Sequence, residues 1–358
     1  MLHKLIKNIA LIITFIIVAC YIAALVAPYI PPNRFIWTAY FGMVIPLWLF
    51  LLCCTAIFWL WRQKWIISIM LILLISLSFS SWRNTVVLNE STNTESVDTL
   101  RLMTYNIHMF DYYKKFDEII EVIKQSDADI VCLQEFGYYT KYKISKDKLF
   151  SIIDEMYPYR HIWYKSQSSR SHNGLITLSK YPIINKKKIE YQTKHNISIY
   201  TDIKIGDDTI RVINNHLESN KLSSKDREIA SLLTEDFDSD TFLSRCKSVQ
   251  DKLGYALQYR AQQAQVIRKT INESPYKTIV MGDFNDVPQS YVYHKIKGDM
   301  KSCYVESGNW LYYWTYNQKG FYFAIDHILV DKSFTPLNTE IIKVKHSDHY
   351  PVVSTIAR

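Results

Sequence analysis

Three apolar stretches at the N-terminus constrain this chain more than anything that follows them. Residues 9–27, 35–61 and 65–82 contain no charged side chain. Each is near or above the length of about 20 residues that a helix needs to cross a bilayer. One such stretch alone would read equally as a buried helix or a signal peptide. Three in succession, separated only by residues 28–34 and 62–64, predict three transmembrane helices. Lys4 and Lys7 precede the first, and Arg62 and Lys64 separate the second from the third, whereas Arg34 and Arg83 fall on the other side. This excess places the N-terminus in the cytoplasm. Three spans then deliver the remaining chain outside it, as an integral protein of the plasma (inner) membrane. Trp37, Trp48, Trp59, Trp61, Trp65 and Trp82 include several at span ends, where indoles favour the headgroup region.

Net charge has to be divided before it is informative. The formal +8 includes six Lys/Arg and no Asp/Glu through Arg83, so from Asn84 onward 36 basic side chains meet 34 acidic ones. That near balance lacks the strong basic excess of a dedicated duplex-binding surface. Cys20, Cys53 and Cys54 fall within the spans. Cys132, Cys246 and Cys303 allow at most one disulfide and show no metal-type spacing. The expected organisation is a membrane segment (1–83), a polar linker (84–99) and one domain (100–358) long enough to bury a core without staples.

From Leu100 onward, strand and helix patterns alternate. Residues 100–106 and 129–133 read as strands, with Phe116, Ile119, Ile120 and Ile123 at helical spacing between them. Asn173-Gly174 opens a further apolar run, and residues 210–213 lead into Asn214-Asn215-His216. Leu253, Leu257, Ala264, Ile267 and Ile271 form a helical stripe just before Thr278-Ile279-Val280. Residues 323–330 read as a strand that contains Asp326. Residues 218–249 read as a charged insertion, expected to be helical.

The polar residues at these strand ends form a set suited to phosphoryl chemistry. In Met281-Gly282-Asp283-Phe284-Asn285-Asp286, Asp283 and Asn285 lie two apart, which on an extended chain aims both at one side. A hard divalent cation takes oxygen ligands, a role that suits Glu135 helped by Asn106. Histidine is the side chain best tuned to move protons near neutral pH, and His216 and His349 are available. A carboxylate inside an apolar strand is costly unless paired, which makes Asp326 and His349 natural partners. Singly, each has an ordinary alternative as a turn former, a surface carboxylate or a core histidine.

Their order is distinctive. Leu102-Met103-Thr104-Tyr105-Asn106, Leu133-Gln134-Glu135, Asn173-Gly174, Asn215-His216-Leu217, Gly282-Asp283-Phe284-Asn285, Ile325-Asp326-His327 and Ser347-Asp348-His349 together resemble the endonuclease/exonuclease/phosphatase superfamily. That superfamily includes DNase I-like nucleases, neutral sphingomyelinases, inositol polyphosphate 5-phosphatases and deadenylases. The resemblance runs from Leu100 to the C-terminus. It implies an α/β fold, a four-layer sandwich of two mixed β-sheets flanked by helices, and phosphoester hydrolysis dependent on Mg²⁺ or Mn²⁺. By the same resemblance Glu135 is the principal metal ligand, with Asn106 beside it and Asp348 assisting. Asp283 orients or activates water, Asn285 binds phosphate or metal, and His349 supported by Asp326 is the base or the phosphate-stabilising histidine. His216 stabilises the transition state or protonates the leaving oxygen, as in the DNase and sphingomyelinase branches. His327 departs from the pattern, which commonly has an aromatic or Arg there.

Three readings of function follow. The first is a membrane-anchored phosphodiesterase acting on a phospholipid headgroup or another extracytoplasmic phosphoester, held close to the bilayer by the short linker. The second is a tethered nuclease, to which Lys186-Lys187-Lys188 and the lysines of residues 141–148 would lend phosphate contacts. The third is a non-catalytic scaffold, which has no need of Asp326 in an apolar strand.

Overall fold

The structure is a computed structural model. It describes residues 2–85, 87, 98–112, 114–139, 146–167, 171–193, 196–223, 226, 239–308, 312–318 and 321–358. Its first helix, α1 (Leu2–Val26), has 25 residues, about 38 Å at 1.5 Å per residue. Among the described residues it is the one helix long and apolar enough to cross a membrane alone. The other two expected spans are not continuous. Residues 35–61 form α2 (Ile36–Met43) and α3 (Ile45–Trp61), bent by 70°. Pro46 explains the break: it has no N–H for the Gly42 carbonyl, and its ring crowds that oxygen. The third stretch yields α4 (Trp65–Leu77), whose 13 residues cover about 20 Å of a hydrocarbon core about 30 Å thick. At its end the Ser78 hydroxyl bonds the Leu74 carbonyl (2.7 Å) and meets the Tyr21 hydroxyl (2.6 Å).

These helices pack on one another around Tyr21, Ala24, Leu52, Ala56, Trp59 and Leu71. Trp59 Nε1 donates to Thr14 Oγ1 (2.8 Å) and Ser68 Oγ to the Ala56 carbonyl (2.9 Å). Their outward side stays apolar: Ile12, Phe15, Phe50, Ile57, Ile66 and Met70 are all at least 60% exposed. A contiguous apolar surface of this kind marks a membrane or interaction face. Most of the expected linker lies outside the described residues. Val87 is described, and it is buried against Tyr304, Tyr313 and Ala324.

Two six-stranded sheets follow. The first contains β1 (Thr99–Asn106), β2 (Ile130–Tyr139), β3 (Tyr159–Gln167), β4 (Ser171–Ser179), β13 (Thr335–Ile341) and β14 (Val352–Ala357), in the order β13-β14-β1-β2-β4-β3. The second contains β5 (Ile183–Ile189), β6 (Ile197–Ile205), β7 (Asp208–His216), β8 (Lys277–Asp283), β9 (Lys301–Ser302) and β12 (Asp326–Val330), in the order β5-β6-β7-β8-β12-β9. β10 (Tyr316–Gln318) and β11 (Phe321–Phe323) form a separate hairpin. Both sheets are mixed: β1 is parallel to β2, β7 is parallel to β8, and the other described pairings within the two sheets are antiparallel.

The apolar runs are continuous because the central strands are covered on both faces. Leu100, Leu102, Ile130 and Cys132 point inward and meet Ile210, Val212, Ile279 and Met281 of the other sheet. Met103, Val131 and Leu133 point outward to α5 (Phe116–Ser126) and α6 (Lys146–Met156). On the far side, Ile213 and Val280 meet α7 (Ser239–Asn272) and α8 (Tyr291–Lys297). The result is the expected four-layer sandwich. Of the insertion at 218–249, residues 239–249 open α7, while 224–225 and 227–238 lie outside the described residues.

Candidate active site

The parallel pairs decide where the site forms. β1 ends opposite Gln134, beside Glu135 of β2, in one sheet, and β7 and β8 end together at His216 and Asp283 in the other. The Asn106 amide donates to Asp283 Oδ2 (3.0 Å) and so joins the two sets of ends across the sandwich. β12 runs antiparallel to β8 and begins here, with Asp326 paired to Asp283. His349 lies three residues before β14, which is antiparallel to β1. Seven of the eight candidate residues therefore line one cavity of about 260 Å³: Asn106, Glu135, His216, Asp283, Asn285, Asp348 and His349. Asp326 stands behind His349, its side chain fully buried.

Two sequence expectations are corrected in detail. Asp326 does not lie inside a strand over 323–330, because β11 ends at Phe323 and β12 begins at Asp326. Thr315 Oγ1 accepts from the N–H groups of both Ile325 and Asp326 (3.0 Å each), which takes them out of the ladder. Asn285 does not share a strand face with Asp283. It has φ +52°, and its own N–H donates to Asp283 Oδ1 (2.7 Å). A left-handed turn, not strand alternation, brings it to the cavity, and its amide donates to the Leu217 carbonyl (3.0 Å). Glu135 also has positive φ (+52°), at the bulge where β2 shifts register against β4. A bulge of this kind re-aims a side chain, here into the cavity.

His349 Nδ1 lies 2.8 Å from Asp326 Oδ2, and its Nε2 is 3.8 Å from Asp283 Oδ2. Burial pulls the imidazole's pKa down, but the carboxylates of Asp326, Asp283 and Asp348 outweigh it and carry the group to about 10. Burial, then the neighbouring Asp326, raises Asp283 to about 7 against the pull of His349 and two hydrogen bonds. His216 is held well below its ordinary value by burial, then by Lys165 and His349. It is therefore a neutral imidazole, with Nε2 at 3.7 Å from Asp283 and 3.8 Å from Glu135. His327 faces away from the cavity. Its ring packs edge-on to Phe284 and Tyr293 at 5.0 and 4.7 Å, taking the place of an aromatic, and its Nε2 meets the Asp286 carbonyl at 3.0 Å.

The donor set fits a hard divalent cation. The Glu135 carboxylate is one-quarter exposed at the cavity wall and accepts no hydrogen bond among the described residues. Asp348 and Asn106 line the same wall, and oxygen donors of this kind suit Mg²⁺. Asn106 also has a task its motif did not suggest: it positions Asp283 directly.

Some supporting residues were not singled out from sequence. Arg260 is fully buried and donates to Asp286 Oδ2 (3.2 Å), the Glu218 carbonyl (2.8 Å) and Asn220 Oδ1 (2.8 Å), holding the loop after His216. Its signal was present, since an arginine sat in the apolar stripe of α7, three residues after Leu257 and four before Ala264. Gln134 and Asn214, both fully buried, bond across the sandwich (2.9 Å) beneath the site. Met43 of α2 also lines the cavity, and no local pattern in the sequence announces it.

A two-sheet sandwich that gathers acids, amides and histidines at one end of its central strands defines a class of phosphoester hydrolases. The model of the endonuclease/exonuclease/phosphatase family matches residues 103–349, and the chain belongs to that family. A second model, described as a domain of unknown function, matches residues 4–85. An endonuclease/exonuclease/phosphatase family protein from Leptotrichia buccalis C-1013-b is similar in structure, with TM-score 0.51 and 15% identity over 72% of this chain and 100% of that one. ANGEL2, a 2′,3′-cyclic phosphatase, is similar at TM-score 0.50 and 15% identity over 75% and 98%. At these identities the likeness speaks for the fold alone. No curated protein matches the chain.

Proposed function

We propose that this protein is a membrane-anchored, divalent-metal-dependent phosphodiesterase whose catalytic domain stands outside the cytoplasm and acts on a phosphoester at the bilayer, such as a lipid headgroup. The observation that carries the chemistry is the relay Asp326–His349–Asp283, which meets Glu135 at one cavity. Glu135, Asn106 and Asp348 would hold Mg²⁺ or Mn²⁺. A bound cation stabilises charge developing on phosphate oxygens. Asp283, whose pKa lies near neutrality, takes the proton of the attacking water, and Asn106 and the Asn285 N–H fix its orientation. His349, kept protonated by Asp326, supports a phosphate oxygen. Asn285 offers its amide to the phosphate, and neutral His216 faces the leaving oxygen.

Placement at a membrane is supported by the apolar outer face of α1, α3 and α4 and by their ends. Lys4, Lys7, Arg62 and Lys64 surround one hollow at the end of the bundle away from the catalytic domain. Basic residues gathered at one end favour the cytoplasmic side for that end. The catalytic domain sits at the other, where the Gln289 amide donates to the Ala24 carbonyl (3.1 Å). A nucleic-acid substrate has less support, because Lys221 is the one Lys or Arg lining the cavity among the described residues. The basic run 186–188 lies on β5, an edge strand, where lysines commonly discourage strand pairing. Residues 141–145 of the other run fall outside the described residues.

The test is phosphorus NMR of the full chain with Mg²⁺, offered phospholipid vesicles, sphingomyelin and an oligonucleotide, with Asp283→Asn as control. New headgroup phosphate signals absent from the control are expected. Nucleotide products would replace this reading with a tethered nuclease, and no products from any of the three would refute it.

A further inference from the structure

The cavity that holds the catalytic set has a second half made of hydrocarbon. Met43 from the end of α2, Val249 and Leu253 from α7, Val287 after β8, and Phe321 and Phe323 of β11 line it. None of these groups can hold a cation, move a proton or stabilise a phosphate. They line the same cavity as Glu135 and His349.

One wall comes from the N-terminal segment, and it is fitted to the domain. A Cβ on Gly42 would stand 2.5 Å from Ala27 Cβ and 3.1 Å from the Gln289 carbonyl oxygen, so only glycine lets α2 approach this closely. On α7, Gly254 leaves room for Ile36 and Tyr40, which would lie 3.1 and 3.2 Å from a Cβ there. The Tyr40 hydroxyl donates to the Gln250 carbonyl (3.0 Å). Tyr29 and His294 meet edge to face at 4.9 Å. The 70° bend between α2 and α3 therefore falls at the cavity wall, directly after Met43. Beyond the bend, α3 presents Phe50 and Ile57 among the exposed apolar side chains described above. The apolar lining thus shares one cavity with the phosphoester site and takes one residue, Met43, from the N-terminal segment.

We infer that the apolar half of the cavity binds the hydrocarbon chain of an amphiphilic phosphodiester, with Met43 of the membrane segment as one wall of that subsite. The inference rests on the proposed hydrolase reading for the position of the phosphate. It goes further by assigning the N-terminal segment a part in substrate selection and by naming the residues that recognise the tail.

The test uses the full chain in lipid nanodiscs with Mg²⁺ and four diesters that share one leaving group. These are methyl, butyl and octyl 4-nitrophenyl phosphate and the 4-nitrophenyl ester of thymidine monophosphate. Each methylene buried contributes up to about fourfold, so kcat/KM should rise at least tenfold from methyl to octyl. In Met43→Glu the octyl-to-methyl ratio should fall toward one, and Leu253→Ser, on α7, should lower it as well. A wild-type ratio near one overturns the inference while leaving the hydrolase reading intact. A nucleotide ester cleaved better than the octyl ester overturns it in favour of nucleic acid. If no ester is cleaved, the hydrolase reading falls, and calorimetric binding of octylphosphonate against methylphosphonate decides the subsite separately. A tenfold preference for the octyl compound, lost in Met43→Glu, sustains it, and equal affinities overturn it.

Discussion

Replacing Asp326 by Asn tests the relay with almost no change of shape. The Asp326 side chain is fully buried and that of His349 is 6% exposed, with Oδ2 and Nδ1 2.8 Å apart. Asn keeps an oxygen for Nδ1–H but removes the charge. A hydrogen bond to a charged group contributes about 1.5–3 kcal/mol and a neutral one about 0.5–1.5. The difference, about 1–2 kcal/mol, predicts a loss of roughly 5- to 30-fold in kcat. Removing the imidazole with His349→Ala should cost more, about 10²–10⁴-fold. Because Asp326 acts through His349, the double variant should be no slower than His349→Ala alone. The sign of the pH effect is also fixed. Asp326 helps hold His349 at about 10, so without it the imidazole loses its proton at lower pH. The alkaline limb of the rate profile must then move toward neutrality. The assay is hydrolysis of methyl 4-nitrophenyl phosphate at saturating Mg²⁺, with thermal unfolding to show that the variant is folded. An unchanged rate for Asp326→Asn, or additive losses in the double variant, would refute the relay.

Further outcomes can be checked on the same protein. Glu135→Gln should raise the Mg²⁺ concentration for half-maximal activity at least tenfold in a titration after chelation, since one carboxylate of a small ligand set is lost. Gly282→Ala should lower thermal stability by about 3 kcal/mol or more, because φ is +134° and the added Cβ would lie 2.1 Å from the Asn215 carbonyl oxygen. Gly206→Ala, with φ +63° and nothing within 4 Å, should cost only about 1–2 kcal/mol. His161 is buried between the sheets with Nδ1 2.8 Å from Thr201 Oγ1, and burial pushes it down to about 4. The unfolded imidazole takes up its proton near pH 6.5, so stability falls as pH drops from about 6.5 to 4. His161→Gln should remove about 2 kcal/mol of that loss at pH 5, read as a smaller drop in unfolding midpoint between pH 7.5 and 5.

The central strands and the site were legible because both write themselves locally. A strand covered on two faces must be apolar at successive positions, as in Leu100–Met103 without Arg101 and in Ile279–Met281. The polar residue that ends such a run is therefore conspicuous. Asn106, His216 and Asp283 were visible for that reason. Two misreadings came from assuming extended backbone where polar groups redirect it. Asn285 turns left-handed because Asp283 captures its N–H, and Asp326 opens a strand because Thr315 captures its N–H and that of Ile325. Neither capture has a spacing signature. The N-terminal helices differ from three continuous spans for another reason. Apolar length does not register Pro46, whose missing N–H breaks the second stretch whatever its hydropathy.

What escaped the sequence altogether is the join between the N-terminal helices and the catalytic domain, and the reason bears on function. Gly42 fits against Gln289, Gly254 against Ile36 and Tyr40, and Ala24 against Gln289, all across more than 200 residues of chain. No periodicity encodes such a fit, because the two glycines contribute by being small and Ala24 by its backbone carbonyl, which any residue has. An anchor that only tethers a soluble enzyme has no use for these contacts, since a flexible linker holds a domain near a bilayer equally well. A fitted join fixes the direction in which the cavity opens relative to the helices. That is useful when the substrate must enter with its phosphate toward Glu135 and its tail toward Met43. The Ser78–Tyr21 contact and the burial of Val87 extend the same fixed geometry to the start of the linker. Lengthening the chain after Val87 by a Gly/Ser insertion should therefore matter little while the α2–α7 contact persists. Gly254→Leu, which wedges that contact apart, should lower the octyl-to-methyl ratio of kcat/KM. If the insertion abolishes the chain-length preference and the wedge does not, the linker and not the fitted join positions the cavity.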